Sequence, residues 1–403
     1  MIKIPNFLNQ DDYLQNPLLK RFLRDHNIGH NENRADLLNA IEEYANESEE
    51  NAEEVTNWLL GVAKEGSKDI CYRKIYGVEE KHHDPVVIEN QIKEAFPNCP
   101  KKNLLEYHNT GESVMIDYEI VLDDSGEVVK VEFTYSQLFL YGNVNELGGK
   151  TVFPVFIELY LNQGFIVSRA KSKSTLYRYN ENNAFLINDN RIDTMEHAMK
   201  LVDDVADVFG FRVEKDSRRA QNEVSKMLYN VYQKFSFTPV DVAKQVASQD
   251  DLLKQFVNDL FSNLHLDSRN KEKALLDAKI FAEKFISING DNEEEFKKDR
   301  DAYLIKISSD DELALTKIDT SSQKTVPLQC TEAFFDGKKS VMSSKKCKRL
   351  HLVFKRRETK YFPSSNQLVV QMGFYKNYGY VKTMQYAEEA DIQNVLQAVF
   401  ENY

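Results

Sequence analysis

The chain has 403 residues, 42% of them hydrophobic, 29% charged and 11% aromatic, with 15 glycines and 9 prolines and a net charge of −12. That length carries two or three domains with cores of their own, and the composition excludes extensive disorder. The N-terminus, MIKIPNFLNQDDY, lacks a basic region followed by an apolar run, and no uncharged apolar stretch nears the roughly 20 residues that cross a bilayer; the expectation is a cytoplasmic protein with no membrane partner.

In chain order, residues 17 to 44 read as two short helices around a turn. Leu18, Leu19, Phe22 and Leu23 line one face, and Leu37, Leu38 and Ile41 the next. Gly29 suits a positive-φ turn position, and Asn31 or Asn33 can cap the second helix. Ile28, Arg34, Leu37, Leu38 and Ile41 fall at the offsets of the SAP family, the helix–extended loop–helix module of many DNA-associated proteins, and the stretch resembles that family. The resemblance implies DNA contact, with Arg34 as the loop base. The family's loop glycine is Glu32 here, and Glu42, Glu43, Glu47, Glu49, Glu50, Glu53 and Glu54 follow with no base between them. Such a run repels a phosphate backbone, so a plain helical hairpin with a solvated acidic face stands beside the SAP-like reading.

Val55, Trp58, Leu59, Leu60 and Val62 continue as a third amphipathic helix, closing an acidic N-terminal module at 1–64. Residues 65–112 read as a connector with one helix at 88–95. Within it, His82-His83-Asp84 before Pro85 is the densest group of possible metal ligands. Adjacent residues rarely converge on one ion, and an exposed loop is expected. Cys71, Cys99, Cys330 and Cys347 show no metal-ligand spacing; unpaired thiols suit a reducing compartment, and no metal or other cofactor is expected.

From 113 to 190 the period becomes that of strands. VMIDYEIVL and VVKVEFTY flank Asp123-Asp124-Ser125-Gly126, VFPVFIELYL and FIVSRAKS flank Asn162-Gln163-Gly164, and LYRY and AFLI follow. Arg169, Lys171 and Lys173 alternate along one strand, which puts them on one sheet face. Beside Tyr177 and Tyr179, that row is either a surface for single-stranded nucleic acid or an edge kept soluble by its charges. Asp117, Glu119, Glu132 and Glu158, with Lys130, would serve a metal-dependent nuclease. However, Glu127 and Lys130 lie three apart, on opposite faces of a strand, and lack the close pairing of restriction-type nucleases.

Residues 191–290 read as a helical bundle, with Asp193 and Glu196 as a capping box and Thr238-Pro239 as a helix start. The phrase TPVDVAKQVASQDDLLKQF resembles a helix-turn-helix without its tight glycine turn, and bundle packing is the plainer reading. The C-terminal module, 291–403, shows strands AYLIKIS, LALTKID, RLHLVFK, QLVVQMGFY and YGYVKTM and a last amphipathic helix.

Within that module, Lys338 to Lys360 holds ten Lys/Arg against one carboxylate, Glu358, a local charge of +9 that leaves −21 on the rest of the chain. Repulsion within such a block is relieved by meeting something anionic. Residues 338–348 are expected as loop, followed by a strand face. The run points to non-enzymatic nucleic-acid binding through Lys345, Lys346, Lys348, Arg349, Lys355, Arg356 and Arg357. A second reading is a scaffold subunit whose charged surfaces meet an acidic protein partner, or whose basic block docks on the acidic helix 42–54. Phosphate-cradling, dinucleotide-binding and nucleophile-elbow motifs are absent from the sequence. That absence and the SAP resemblance suggest a mobile-element or phage-defence setting. The expected fold class is α+β.

Overall fold

The fold is α+β in a computed structural model that describes residues 2–9, 13–29, 32–107, 110–144, 147–179, 186, 188–289, 293–311, 316–321, 326–356, 359–362 and 366–403, with backbone alone at 310–311 and 316–320. Of the AFLI strand, Leu186 alone is among the described residues, and Asn31 and Arg357 lie outside them.

Local chemistry sets the N-terminal helices. α1 (Asn16–Asp25) buries Leu18, Leu19, Phe22 and Leu23. α2 (Arg34–Ala45) starts at Asn33, whose side chain accepts the Ala35 N–H at 2.9 Å, and α3 (Glu49–Lys64) starts at Ser48, which accepts Asn51 N–H at 3.0 Å. Next come β1 (Lys68–Tyr76) and α4 (Pro85–Ala95), then β2 (Val114–Leu122), β3 (Val128–Tyr141), β4 (Gly149–Tyr160), β5 (Phe165–Lys171) and β6 (Leu176–Arg178). α5 (Thr194–Val208) is capped by Asp193 through the Met195 and Glu196 N–H groups. β7 (Arg212–Val213), α6 (Ser217–Phe235), α7 (Val240–Ser248), α8 (Asp250–Asn263), α9 (Lys271–Asn289) and α10 (Glu293–Lys297) follow. The chain ends with β8 (Ala302–Asp311), β9 (Thr316–Ser321), α11 (Glu332–Ser344), β10 (Arg349–Lys355), β11 (Gln367–Tyr375), β12 (Tyr378–Thr383) and α12 (Glu389–Asn402).

Three expectations need correction. The connector contains β1, a strand buried along most of its length. The run 338–348 is not all loop, because α11 extends to Ser344. His82 is buried rather than exposed: its Nδ1 accepts the Glu79 N–H at 2.8 Å and its ring meets Phe211 edge-on, while Asp84 caps α4.

Two compact units divide the chain. The first, Met1–Gln221 with Arg356–Leu368 and Tyr375–Phe400, is built on an antiparallel sheet ordered β2-β3-β4-β5-β1-β12, with β6 on β3 and β7 on β1. Alternation along β4 sends Phe153, Val155, Ile157 and Leu159 into a core with α4 and α5. Phe156, on the opposite face, joins a second core with α1, α2 and α3. The sheet is thus covered on both sides, which explains why β1 and β5 are buried along nearly their whole length.

The second unit, Asn222–Lys355 with Val369–Phe374 and Glu401–Tyr403, holds strands in the order β9-β8-β10-β11. β8 and β10 pair antiparallel with a bulge at His351/Leu352. Phe354 of β10 packs edge-on against Phe235 of α6, and Tyr232 of α6 meets Phe334 of α11. α8 and α9 run antiparallel, tied by Lys279–Asp250 at 2.9 Å and Lys271–Asn258 at 3.0 Å.

Candidate functional site

The described bases of the 338–360 run meet different fates. Lys338 pairs with Glu283 of α9 at 2.6 Å and Lys339 with Asp277 at 2.6 Å, so the two bases of the run inside α11 are neutralised by the neighbouring helix. Lys355 is exposed, but its ammonium donates to the Lys297 carbonyl at 2.6 Å. Arg356 is buried, lies 3.6 Å from Asp391 and donates to the Tyr386 carbonyl. It is therefore an internal ion pair, a correction to its placement among surface bases. Lys360 shares a cleft with Glu54 of α3, so one end of the run does meet the acidic helix.

Between these, Lys345, Lys346 and Lys348 lie in the turn from α11 into β10, and Arg349 opens β10. Lys345 caps α11 in the left-handed region at φ 51°, its N–H donating to Val341 O at 3.0 Å. Cys347 is 1% exposed and donates its N–H to Ser225 O at 3.1 Å; Lys348 N–H bonds Ser308 O at 2.8 Å, and Ser309 Oγ donates to Lys346 O at 2.8 Å. The backbone is anchored on both flanks, while Lys345, Lys348 and Arg349 are exposed and Lys346 is half-buried.

The β5 row does not make an exposed face. Arg169 is fully buried, with Nε 2.9 Å from Glu158 and a fork of two bonds to Glu389 at 2.5 and 3.0 Å. Burial opposes its charge, but Glu158 and Glu389 hold its pKa well above the ordinary value. Lys171 is buried and Lys173 half-buried, their ammonium groups 5.5 and 5.7 Å from the Tyr13 ring centroid. Arg169 and Lys171 belong to a strand with partners on both sides and Lys173 lies past its end, which the alternation of charges in sequence does not reveal. Arg34 donates to Asn16 Oδ1 at 2.7 Å and to the Asn9 carbonyl at 2.6 Å, fastening the start of α2 to the start of α1 and to the segment before it.

The carboxylates considered for a nuclease do come together. Register places Glu119, Glu132 and Glu158 side by side across β2, β3 and β4, and Asp117, Glu119 and Glu132 line a cavity of about 140 Å³ with Lys64. Charge pairing accounts for Glu132: burial would raise its pKa, yet Lys64 and Lys130 hold it down to about 2. Asp117 pairs with Lys101 at 3.1 Å. Among the described residues, no group of three or more His, Cys, Asp and Glu is placed to hold a metal ion, and no helix is long and apolar enough to cross a membrane.

A cleft that the sequence reading passed over opens between α1, α3 and the segment at 360–361, with a cavity of about 310 Å³. Phe22 stacks with His26 (4.2 Å between centroids) and lies 4.5 Å from Trp58. Glu54 accepts from Tyr44 OH at 2.8 Å and contacts His26 Nε2 at 2.9 Å, and these bonds hold its pKa below the usual carboxylate range. Deeper in, burial pushes Glu65 up to about 7, although it accepts the Glu389 N–H and Tyr386 OH. The signal in sequence was there, an aromatic-plus-acid spacing of Glu54, Trp58 and Glu65 along and just past α3, but Trp58 read as core.

The chain matches no known protein family in a family-by-family comparison, and no curated protein matches it in sequence.

Proposed function

We propose that the protein binds nucleic acid without catalysing a reaction, gripping the backbone through the turn Lys345, Lys346, Lys348 and Arg349. The supporting observation is that these four bases occupy five positions whose backbone is pinned by Cys347, Lys346 and Lys348. A fixed turn presents charge to phosphates with less ordering cost than a mobile tail. Reading is by charge, so duplex and single strands should both bind, with little sequence preference. The SAP-like stretch plays a lesser part, since Arg34 already serves Asn9 and Asn16.

Anisotropy of labelled duplex DNA, single-stranded DNA and RNA across a salt series tests this. Four phosphate contacts give a log–log slope of about −3 to −4 on duplex, and changing the four bases to Ser abolishes that slope. Salt-insensitive binding, or a quadruple variant that binds like wild type, removes the reading.

A protein-interaction role is favoured by one separate feature. Leu252, Phe256 and Leu260 form an exposed apolar stripe on α8 at i, i+4 and i+8, and Phe281 and Phe285 are exposed on α9. Such a surface on a helical pair fits a scaffold subunit that meets other chains there.

A further inference from the structure

We propose that the cleft between α1 and α3 docks a basic segment of a partner protein, with one arginine side chain entering it. Its guanidinium lies against the half-buried Trp58, which Phe22 backs, and donates to Glu54 and Glu65. Three observations choose this ligand chemistry. The walls are aromatic, and a planar cation gains both stacking and quadrupole attraction there. The polar groups that converge on it are mainly acceptors: Glu54 sits at the rim, half exposed, and Glu65 deeper. Finally, the field around it is one-sided: from Ala35 to Ala63 the chain holds eight acids and no base, a surface that attracts and orients a cationic segment.

The molecule supplies a partial mimic. Lys360 lines the same cleft, and its charge adds to the bonds from His26 and Tyr44 that keep Glu54 ionised. The Lys360 ammonium acts as a point charge 5.4 Å from the Tyr361 ring centroid, whereas a planar guanidinium both stacks on an aromatic face and donates a fork of hydrogen bonds. Lys360 thus competes weakly with an incoming arginine. This binding is distinct from the nucleic-acid reading: it uses another unit, other residues and a ligand of opposite charge.

Trp58 is the only tryptophan of the chain, so its emission reports on the cleft directly. The full-length protein is titrated with octapeptides alternating Gly with Arg, Lys or Glu. The Arg peptide should shift Trp58 emission saturably, the Lys peptide should bind more weakly, and the Glu peptide should do nothing. Joint Glu54→Gln and Glu65→Gln changes should weaken the Arg peptide on the order of tenfold, about one lost charge-assisted contact, and Lys360→Ser should tighten it. No response to the Arg peptide overturns the proposal. So does an equal response to the Glu peptide, or undiminished binding by a folded double Gln variant, which would make the attraction a diffuse surface effect. If circular dichroism shows the double variant unfolded, Lys360→Ser decides: unchanged or weaker binding overturns the proposal.

Discussion

Arg169 with its neighbours and the turn from Lys345 to Arg349 hold comparable positive charge in opposite settings. β5 runs between β4 and β1, so both of its edges are taken and both faces covered, and a charge placed there must find carboxylates inside the protein. Glu158 on the next strand and Glu389 on the first turn of α12 supply them. The turn leaves a helix and enters a strand of the second unit, with its backbone bonded to its neighbours, Cys347 buried, and Lys345, Lys348 and Arg349 exposed. Density of charge in sequence is therefore a poor guide to placement by itself; burial separates the two, with Arg169 fully buried against carboxylates and Lys345, Lys348 and Arg349 exposed.

The largest effect that sharpens this contrast belongs to Arg169. Replacing it with Met leaves Glu158 and Glu389 without their counter-charge, and a loss of about 3–5 kcal/mol is expected, read by urea unfolding followed by circular dichroism. Arg349→Ser should change the same midpoint by no more than about 0.5 kcal/mol. Equal effects at the two sites would collapse the distinction.

A smaller, pH-dependent effect comes from Glu65. Its folded pKa of about 7 lies above the ordinary 4.5, so the folded state holds the proton more tightly than the unfolded chain. Stability from this group is full below the unfolded value and is lost as pH rises through the folded one. The wild type should therefore lose up to about 3 kcal/mol between pH 5 and pH 8 that Glu65→Gln does not lose. Thermal unfolding of both proteins across that range measures it, and parallel curves would show that Glu65 is not strained by its burial.

Much of the fold was legible. Asn33, Asp193 and the apolar spacing of α1, α3, α5 and α12 marked helices where the structure has them, and the strand period of 114–171 stands as β2 to β5. β1 was missed because Lys68, Asp69 and Arg73 interrupt its apolar pattern; each is buried against a partner, the Ala63 carbonyl, Lys382 and Asp203 respectively. α11 was missed because the basic run from Lys338 read as loop, whereas Lys338 and Lys339 lie on α11 and pair with Glu283 and Asp277 of α9. Except for Lys68, whose acceptor Ala63 is five residues away, the partner that makes the charge tolerable lies far off in sequence. Periodicity counts only near neighbours, and it cannot price such a pairing.

The contrast is tested most directly by single-stranded DNA binding of two variants at about 50 and 200 mM salt. One carries Ser at 345, 346, 348 and 349; the other carries Ser at 171 and 173, the bases that follow Arg169. Loss of salt-sensitive binding in the first alone is the predicted result. Loss in the second, with the first still binding as wild type does, would contradict the account.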